Sequence, residues 1–490
     1  MVDSKQFVVL DEKVEMGKRW KTIKMKCGKY LSWEDSVHIS MNATKNAILL
    51  GDAWQVGGGQ KPDETIIDWD SNKKSIEEVI DIEKNWCGRY VLIIDECIYT
   101  DAVGLLQVFY SKKYVTSSIS VLCKIDHRNI KKTKLIYGLA PDFIPGNITA
   151  YSDVYRLLPS EIYNFCSKKI IMRKLLPDGI PEYSEEHLKR FVDAFSSSLN
   201  NMKKHFCDSD VWLALTGGKD SRTTMALLEY AGIPYKTFTL EHKNISEGDI
   251  DIPKVLAKKV NKCNLYVRKK NKINKILKEQ YNEHTAYMAV DQGRNFYSRN
   301  QYNELLNYSP KILILRSGIW ECAVEYYFNG KRDKKLTISD LEQVFPIINL
   351  NSDFKNALIK WKCNIEKDVL NRELTVDERL YWEIRAADWL AAGESAFDMM
   401  DNIDSIQPAN SRALIAMMLA FPENERINKL HEEKIIQYAC NAISQVKYDD
   451  EYKTNKFRKM KKIGIKIQQF HLLVKYYGMK KMFLYYMRKR

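Results

Sequence analysis

Residues 216–221, Thr-Gly-Gly-Lys-Asp-Ser, join an apolar run to an amphipathic one and have the clearest chemical pattern in the chain. A glycine-rich turn at a helix start directs backbone amides and the positive end of the helix dipole at one anion, which suits a pyrophosphate. Asp220 would repel phosphate oxygens unless a metal ion lay between them. The loop therefore predicts a site for a pyrophosphate and a divalent cation. The alternative is an ordinary tight turn in which Asp220 or Ser221 caps the helix.

This loop is not a Walker A loop. That motif needs G-x-x-x-x-G-K-[ST], but Leu213 occupies the position of the first glycine and Asp220 follows the lysine. The pattern thus excludes the P-loop class of nucleotide-binding proteins.

The elements that must position the loop alternate between strand-like and helical patterns. These runs come in pairs along the chain: VWLALT and SRTTMALLEYAG, YKTFTLEH and IPKVLAKKVN, and PKILILRSG and ECAVEYYF. Such alternation predicts βαβ units on a parallel sheet. After about residue 370 the patterns are mostly helical.

The first third of the chain is rich in short strand-like segments, which predicts a large sheet system. These segments are KQFVVL, NAILLGD, GRYVLIID, LLQVFY, YVTSSISVL and SKKIIMRKL. Two prolines and a glycine in residues 175–185 predict a linker. We therefore expect one domain over residues 1–178, a second over residues 179–452 and a separate tail over residues 453–490.

The net charge of +14 belongs almost entirely to that tail. Residues 453–490 hold thirteen Lys and Arg and no Asp or Glu, which leaves +1 for the rest of the chain. Apolar residues follow at alternating steps of four and three, which predicts a basic amphipathic helix. These residues are Ile463, Ile467, Phe470, Val474 and Tyr477. Such a helix either docks on the body of the protein or contacts an anionic membrane surface, RNA or an acidic peptide.

Composition predicts a soluble, cytoplasmic protein. A chain of 490 residues with 45% apolar content can bury a large core and exceeds the length of one ordinary domain. The ten cysteines form no C-x-x-C pair, which is typical of reduced thiols. The N-terminal residues have no signal-peptide pattern. No uncharged apolar run approaches the roughly 20 residues that cross a bilayer, so we expect no transmembrane segment.

At this point the chain resembles the asparagine synthetase family. The run LTGGKDSR (215–222) resembles the S-G-G-x-D-S pyrophosphate loop of that family, and residues 88–122, with a D-x-x-G turn at Asp101, look like its glutaminase-type domain. Residues 313–328 are similar to its second acidic loop, and residues 406–427 to a helix that ends in a proline turn. The resemblance implies the fold class α/β plus α+β. It implies an N-terminal αββα sandwich and a C-terminal parallel-sheet ATP-pyrophosphatase domain with helical additions.

The departures from the family concern the glutaminase chemistry. A class II glutaminase uses an N-terminal cysteine, but residue 2 here is Val2. Cys27 would need the removal of 26 residues and lies in a strand-like stretch. Residues 51–53, Gly-Asp-Ala, replace the N-G-E segment that holds glutamine. We therefore expect a scaffold without glutaminase activity and an amine that does not come from glutamine, as in β-lactam synthetases and lasso-peptide cyclases.

The resemblance also implies the site residues, with ATP and Mg²⁺ as cofactors. Asp220 and Glu321 would bind the metal, although Glu321 could equally be an exposed glutamate at a helix start. Asp220 and a C-terminal lysine would be catalytic, with Lys447, Lys453 and Lys456 as candidates for a cation that stabilises developing charge. The nucleotide would contact Leu215, Thr216, Gly217, Gly218, Lys219, Ser221, Arg222, Phe238, Thr239, Leu240, Ser317 and Gly318. The segment with Phe238, Thr239 and Leu240 is alternatively a plain core strand.

The expected reaction is amide-bond formation that releases AMP and pyrophosphate. The partners would be a small-molecule or peptide carboxylate and an amine, with a partner protein or acidic peptide at the basic tail and no nucleic acid. One rival is a tRNA-modifying enzyme, because lysidine synthetases and thiolases match Lys219 better. Another is a non-catalytic binding subunit. In residues 381–390 we expect Glu383, Arg385 and Trp389 to have packing and surface roles, because positions i and i+2 do not share a helix face.

Overall fold

Two antiparallel sheets and one parallel sheet form the framework of this computed structural model. The structure describes residues 4–70, 74–126, 144, 146–149, 151–242, 245–268, 275, 279, 301–324, 326–328, 337–344 and 352–449. The predicted tail lies outside these residues. The mixed α/β class expected from the sequence is confirmed. Within the described residues, every helix is too short or too polar to cross a membrane.

The N-terminal part contains twelve described strands and three described helices. The strands are β1 Phe7–Leu10, β2 Trp20–Lys24, β3 Tyr30–Glu34, β4 Ile39–Met41, β5 Ala47–Gln55, β6 Trp86–Ile94, β7 Cys97–Thr100, β8 Phe109–Tyr110, β9 Val115–Thr116, β10 Tyr155–Arg156, β11 Glu161–Asn164 and β12 Lys169–Met172. The helices are α1 Pro62–Ile67, α2 Ile76–Glu83 and α3 Ile119–Asp126. The strand orders are β10-β8-β9-β1-β3-β2 in one sheet and β12-β11-β7-β6-β5-β4 in the other.

These two sheets pack face to face because side chains alternate along each strand. Val9 and Leu31 of the first sheet share a buried cluster with Leu50 and Val91 of the second. The opposite face of the second sheet packs against α1 and α2, and the opposite face of the first packs against α3. The layer order is therefore helix, sheet, sheet, helix.

The structure differs from two local predictions in this region. The segment predicted as a strand over residues 114–122 is a strand only at Val115–Thr116 and then turns into α3. The helix is favoured there because it packs Val121 against Val8 on the outer sheet face. Cys27 lies in the turn between β2 and β3, not within a strand, and Gly28 provides the positive φ of 89° in that turn.

The C-terminal part contains the parallel sheet and most of the helices. Its strands are β13 Asp210–Ala214, β14 Lys236–Glu241, β15 Asn264–Arg268, β16 Ile312–Leu315 and β17 Ile403–Ile406. Its α-helices are α4 His187–His205, α5 Lys219–Tyr230, α6 Glu247–Lys259, α7 Ile338–Val344, α8 Ser352–Lys367, α9 Val376–Arg379, α10 Ala391–Ser395, α11 Arg412–Leu419, α12 Glu423–Ile427, α13 Leu430–Ala439 and α14 Asn441–Ser444. A π-helical stretch, Leu380–Leu390, joins α9 to α10.

The parallel sheet has the order β15-β14-β13-β16-β17. The register pairs Leu213 with Leu315 and Leu315 with Ile406, so the carboxyl ends of three strands meet at one edge. All four residues of β16 are buried, as expected of a central strand that is covered on both faces. Strand β17 lies in a region whose sequence predicted mostly helix, and its pairing with β16 explains the difference. Strand β17 is the last strand on one side of the parallel sheet.

The two parts of the chain are joined by buried polar contacts. The Asp101 carboxylate accepts hydrogen bonds from the amides of residues 103–106 at 2.8–3.1 Å, which forms the predicted turn. Asn410 also donates to Asp101 at 2.9 Å, and Trp382 donates to the Ala102 carbonyl at 2.7 Å. The antiparallel sheets are therefore tied directly to the helical region after residue 380. The domain limits given above stay a prediction.

Glu161 should make stability depend on pH. Burial raises the pKa of this carboxyl from 4.5 to about 7, although the Leu158 amide donates to it and opposes the shift. Between these two pH values the folded chain holds a proton that the unfolded chain releases, so stability falls as the pH rises. We expect a loss on the order of 3 kcal/mol across this window. Denaturant unfolding at pH 4.5 and 7.5 measures it. Glu161→Gln should lose less, and an equal pH dependence in both proteins would contradict the prediction.

Candidate active site

The glycine-rich loop lies between β13 and α5, at the carboxyl edge of the parallel sheet. Ser221 closes the loop because its hydroxyl lies 3.1 Å from the Thr216 amide and 3.0 Å from the Thr216 hydroxyl. Helix α5 begins at Lys219, with Gly218 as its N-cap and without a side-chain cap. The ordinary capped turn that was the alternative is therefore not what forms here. The first amides of α5 remain available to an anion.

The amide of Gly217 already binds a carboxylate. It donates to Oδ1 of Asp249 at 2.8 Å, and Asp249 lies in the first turn of α6. A carboxylate oxygen here stands in for a phosphate oxygen, since both are anionic acceptors. A Cβ atom at residue 217 would lie 3.0 Å from the Gly248 carbonyl, which explains why glycine is found there. The loop backbone is thus oriented to bind an oxyanion.

Three charged side chains meet beside this loop. The ammonium of Lys429 lies 2.7 Å from Asp220 and 2.6 Å from Glu321. Asp220 comes from the first turn of α5 and Glu321 from the 3₁₀ helix Gly318–Ala323 after β16. Lys429 precedes α13 with a left-handed φ of 52°. The structure therefore brings together the two acids that the sequence predicted as metal ligands, with a lysine between them.

Burial strengthens these charge interactions. Burial and the charge of Asp220 raise the pKa of Glu321 above its usual value. Burial alone would lower the pKa of Lys429, but the charges of Glu432, Asp220 and Glu321 raise it above its usual value. Lys429 therefore stays protonated at neutral pH, and its positive charge stabilises the neighbouring carboxylates of Asp220 and Glu321. Glu321 is only 19% exposed, so it is not the exposed helix-start residue of the alternative interpretation.

Glu432 adds a third carboxyl to the cluster. It is fully buried in α13, and its Oε1 lies 3.8 Å from the Lys429 ammonium. Burial and the charge of Asp220 raise its pKa well above the usual value. Among the described residues no donor reaches Oε1, while Oε2 accepts from Thr223 at 3.3 Å. A buried oxygen without a donor marks a place where a proton or a cation is needed.

The donor set fits Mg²⁺. Mg²⁺ binds carboxylate oxygens and substrate phosphates. Asp220, Glu321 and Glu432 place three carboxyl groups around the Lys429 ammonium, and the charge of Arg385 also acts on Glu321. The carboxylate oxygens of Asp220 and Glu321, together with the buried Oε1 of Glu432 that no described donor reaches, suit a divalent cation. Asp220 and Glu321 are the residues that would hold it.

The other predicted nucleotide contacts line the same edge. Phe238 is buried, and the Thr239 hydroxyl donates to the Leu215 carbonyl at 2.8 Å, which ties β14 to the loop. The Ser317 hydroxyl lies 2.9 Å from that of Thr224 in α5, and the Gly318 amide donates to Gln407 at 2.7 Å. Leu240 is partly buried at the end of the same strand. Their contacts with a nucleotide stay a prediction.

Two basic residues, Lys219 in the loop and Arg222 just after it, contact other protein groups and do not point into solvent. Lys219 pairs with Glu433 of α13. Arg222 is buried and donates to the carbonyls of Val446 and Lys447, the latter at 2.7 Å, while Tyr448 stacks 4.0 Å from its guanidinium. Arg222 therefore anchors the segment 446–449 over the loop.

The predicted C-terminal lysines are placed differently from Lys429. The side chain of Lys447 is exposed, and only its backbone carbonyl is held by Arg222. Lys453 and Lys456 lie outside the described residues. The residue that meets both predicted metal ligands is therefore Lys429, which the sequence analysis missed together with Glu432 and Asp249. The only local signal was that Lys429 follows the proline turn at Pro422.

Glu383 and Arg385, both in the π-helical stretch, have different surroundings. Glu383 is buried and pairs with Arg379, which agrees with the packing role expected of it. Arg385 instead lies 4.9 Å from the ring of Tyr326 and 4.8 Å from that of Trp389. Its charge also acts on Glu321. A π-helix changes the angular spacing of side chains, so the α-helical argument from positions i and i+2 does not apply here.

Comparisons with known proteins add little to this geometry. A scan against protein-family models matches none, and no curated protein matches the chain. Among solved structures, the glutamine-dependent NAD+ synthetase from Acinetobacter baumannii, in complex with adenosine diphosphate, is similar at 15% identity with a TM-score of 0.23. The similarity covers 54% of this chain and 52% of that one, so the chain spans about half the length of that synthetase. A TM-score this low assigns neither a family nor an activity.

Proposed function

We propose that the protein is an ATP- and Mg²⁺-dependent ligase that adenylates a carboxylate and joins it to an amine from a source other than glutamine. The observation that carries the proposal is the convergence of an oxyanion-binding loop with the cluster of Asp220, Glu321 and Lys429. A pyrophosphate bound at the loop would lie beside both acids and the lysine. This combination suits cleavage of ATP between its α and β phosphates.

The reaction proceeds in two steps, adenylation of the carboxylate and then formation of the amide. A carboxylate oxygen of the substrate bonds to the α-phosphorus of ATP, and the bond from that phosphorus to the bridging oxygen breaks, which releases pyrophosphate. The amine nitrogen then bonds to the activated carbonyl carbon, and the bond to AMP breaks. The amine loses a proton to water, and the products are an amide, AMP and pyrophosphate.

The residues of the site have separate tasks in this scheme. The amides of Gly217 and of the start of α5 bind the pyrophosphate oxygens. Lys429 donates to phosphate oxygens on which charge develops, which is the help that a fixed cation gives in a half-buried site. Asp220 and Glu321 would hold Mg²⁺, which when bound neutralises the charge of the phosphates. Asp249 must release the Gly217 amide when the pyrophosphate enters.

Arg385 is suited to hold the carboxylate substrate. Its guanidinium is kept in place by the rings of Tyr326 and Trp389. It also interacts electrostatically with the Glu321 carboxylate. Guanidinium groups bind carboxylates with two parallel hydrogen bonds. The antiparallel sheets then serve as a scaffold, because Cys27 is held in the turn between β2 and β3. This supports an amine that comes from a second substrate or from the same molecule.

Product analysis of labelled ATP tests the proposal. The full chain is incubated with α-labelled ATP, Mg²⁺, fractionated extract of its own cells and hydroxylamine, which captures activated carboxylates. We expect AMP and a hydroxamate, and AMP formation should fall at least about tenfold in Asp220→Asn, which keeps the size of the side chain but loses its charge. ADP as product, or AMP that survives the substitution, would sink the proposal. Stimulation by tRNA alone would favour the tRNA-modifying rival.

A further inference from the structure

A cavity among the described residues is lined by none of the residues of the glycine-rich loop. It has a volume of about 970 Å³ and is lined by Asp208, Lys311 and Asp404, near the starts of β13, β16 and β17. These positions lie at the amino edge of the parallel sheet, whereas the loop lies at its carboxyl edge. The cavity also borders Gly51 and Asp52 of β5. It is therefore a second concave site between the antiparallel and parallel sheets.

Two histidines and an aspartate converge on this cavity. The His205 Nε2 atom lies 2.9 Å from Oδ1 of Asp52, and the His38 Nδ1 atom lies 3.4 Å from the same oxygen. The three ligand atoms all lie within 4.8 Å of one another. In a tetrahedral zinc site with bonds of 2.0–2.2 Å, two ligand atoms are about 3.4 Å apart. The distance from His38 to Asp52 equals this value, while the 2.9 Å contact from His205 is a hydrogen bond that must lengthen by about 0.5 Å when a zinc ion enters.

Rigid elements hold these three side chains. His38 precedes β4, and its carbonyl accepts from the Gly51 amide at 2.8 Å, which places it beside Asp52. Gly51 has a φ of 91°, and a Cβ there would lie 2.4 Å from the Arg89 carbonyl, so only glycine allows this course of β5. His205 ends α4, which is fixed to β5 by a hydrogen bond of 3.0 Å from Trp54 to Ser198.

The surroundings also resemble those of metal-binding histidines. Such histidines usually direct their second ring nitrogen at a carboxylate, which fixes the ring orientation. The His38 Nε2 atom faces Oδ1 of Asp63 at 3.8 Å, and Ser40 donates to the same carboxylate. His205 packs against Phe206 with ring centroids 4.9 Å apart. His38 therefore faces a second carboxylate beyond direct hydrogen-bond distance, and His205 packs against an aromatic ring outside the cluster.

We propose that His38, Asp52 and His205 bind one Zn²⁺ ion, with an open coordination position that faces the cavity. Two imidazoles and one carboxylate favour Zn²⁺ over Mg²⁺ or Ca²⁺, which prefer oxygen donors. Three protein ligands leave room for a fourth, a water molecule or a nitrogen or oxygen atom of a small molecule in the cavity. This site is separate from the proposed ATP site and does not depend on ligase activity.

Metal titration of the full chain tests the site without an activity assay. After chelator treatment and dialysis, Zn²⁺ uptake is measured by competition with a chromophoric chelator, and Co²⁺ uptake by its visible absorption. We expect one Zn²⁺ per chain and a Co²⁺ spectrum of nitrogen ligation in four-coordinate geometry. His205→Gln and His38→Gln should each weaken binding at least about tenfold, and His38 is 41% exposed, so its loss leaves the fold intact.

Two control variants separate this site from others. Exposed His242→Gln should bind Zn²⁺ as the wild type does, and Asp220→Asn should leave the Co²⁺ spectrum unchanged. Equal affinity in all variants would mean surface binding and would overturn the proposal. Absence of stoichiometric uptake by the wild type would overturn it too, leaving an ion pair of Asp52 with the two histidines. Neither result bears on AMP formation, so failure here and failure of the ligase proposal are distinguishable.

Discussion

Replacing Lys429 with methionine should lower AMP formation at least about 100-fold, the loss that follows removal of a fixed group which stabilises developing charge. Methionine keeps the length of the side chain and removes only the ammonium. That ammonium lies 2.7 Å from Asp220 and 2.6 Å from Glu321, and among the described residues it is the cation that contacts both. Without it, the carboxylates repel each other and the cluster loses the ammonium that we assign to the phosphates. Single-turnover measurement of labelled AMP checks the result.

The same variant should respond more strongly to Mg²⁺ than the wild type. With Lys429 absent, the carboxylates lose the cation that contacts both of them, so binding of a divalent cation stabilises the folded chain more. Thermal unfolding with and without Mg²⁺ measures this difference. Lys434→Met is the matched control, because Lys434 lies in α13 and pairs with Glu425 at the surface. Turnover by Lys429→Met at the rate of Lys434→Met would refute the role of Lys429.

Glu83→Gln should destabilise the fold by about 3–5 kcal/mol, the cost of removing one partner from a buried ion pair. Glu83 is 1% exposed and lies 3.1 Å from Arg173 and 3.2 Å from Arg412, both of them buried. The substitution leaves two buried guanidinium groups without a counter-charge. Since Glu83 belongs to α2 and Arg412 to α11, the loss also weakens the contact between the antiparallel sheets and the C-terminal helices.

Denaturant unfolding followed by tryptophan fluorescence measures this change. Glu77→Gln removes an exposed carboxylate of the same helix and should alter stability by no more than about 0.5 kcal/mol. If both variants unfold at the same denaturant concentration, the triad of Glu83, Arg173 and Arg412 does not hold the two parts together. Loss of AMP formation in folded Glu83→Gln at low temperature would instead indicate that the contact positions the site.

Much of the framework could be predicted from local patterns. Strands β13, β14 and β16 and helices α5 and α6 lie where alternating apolar and amphipathic runs placed them, because side-chain periodicity follows directly from backbone geometry. Strand β17 was not visible in the same way. Its four residues carry a weak strand signal, and only pairing with β16 makes the segment extended.

The glycine-rich loop and its acid were evident for the same local reason. Glycines, Asp220 and Ser221 are adjacent in the chain, so their joint placement at a helix start follows from sequence order. The identity of the lysine at the site was not evident. Lys429 is one of 77 lysines and arginines, and its position after the proline turn at Pro422 is too weak a signal to select it over Lys447.

The amino-acid sequence by itself thus determined the alternation of elements, the glycine-rich loop at a helix start and the charge of the tail. The tertiary structure decided which distant charges meet: Lys429 with Asp220 and Glu321, and His38 with Asp52 and His205. The physical reason is that local conformation depends on neighbouring residues. A cluster of charges instead depends on how separate elements pack against each other. The number of residues between two charged positions does not predict whether they meet.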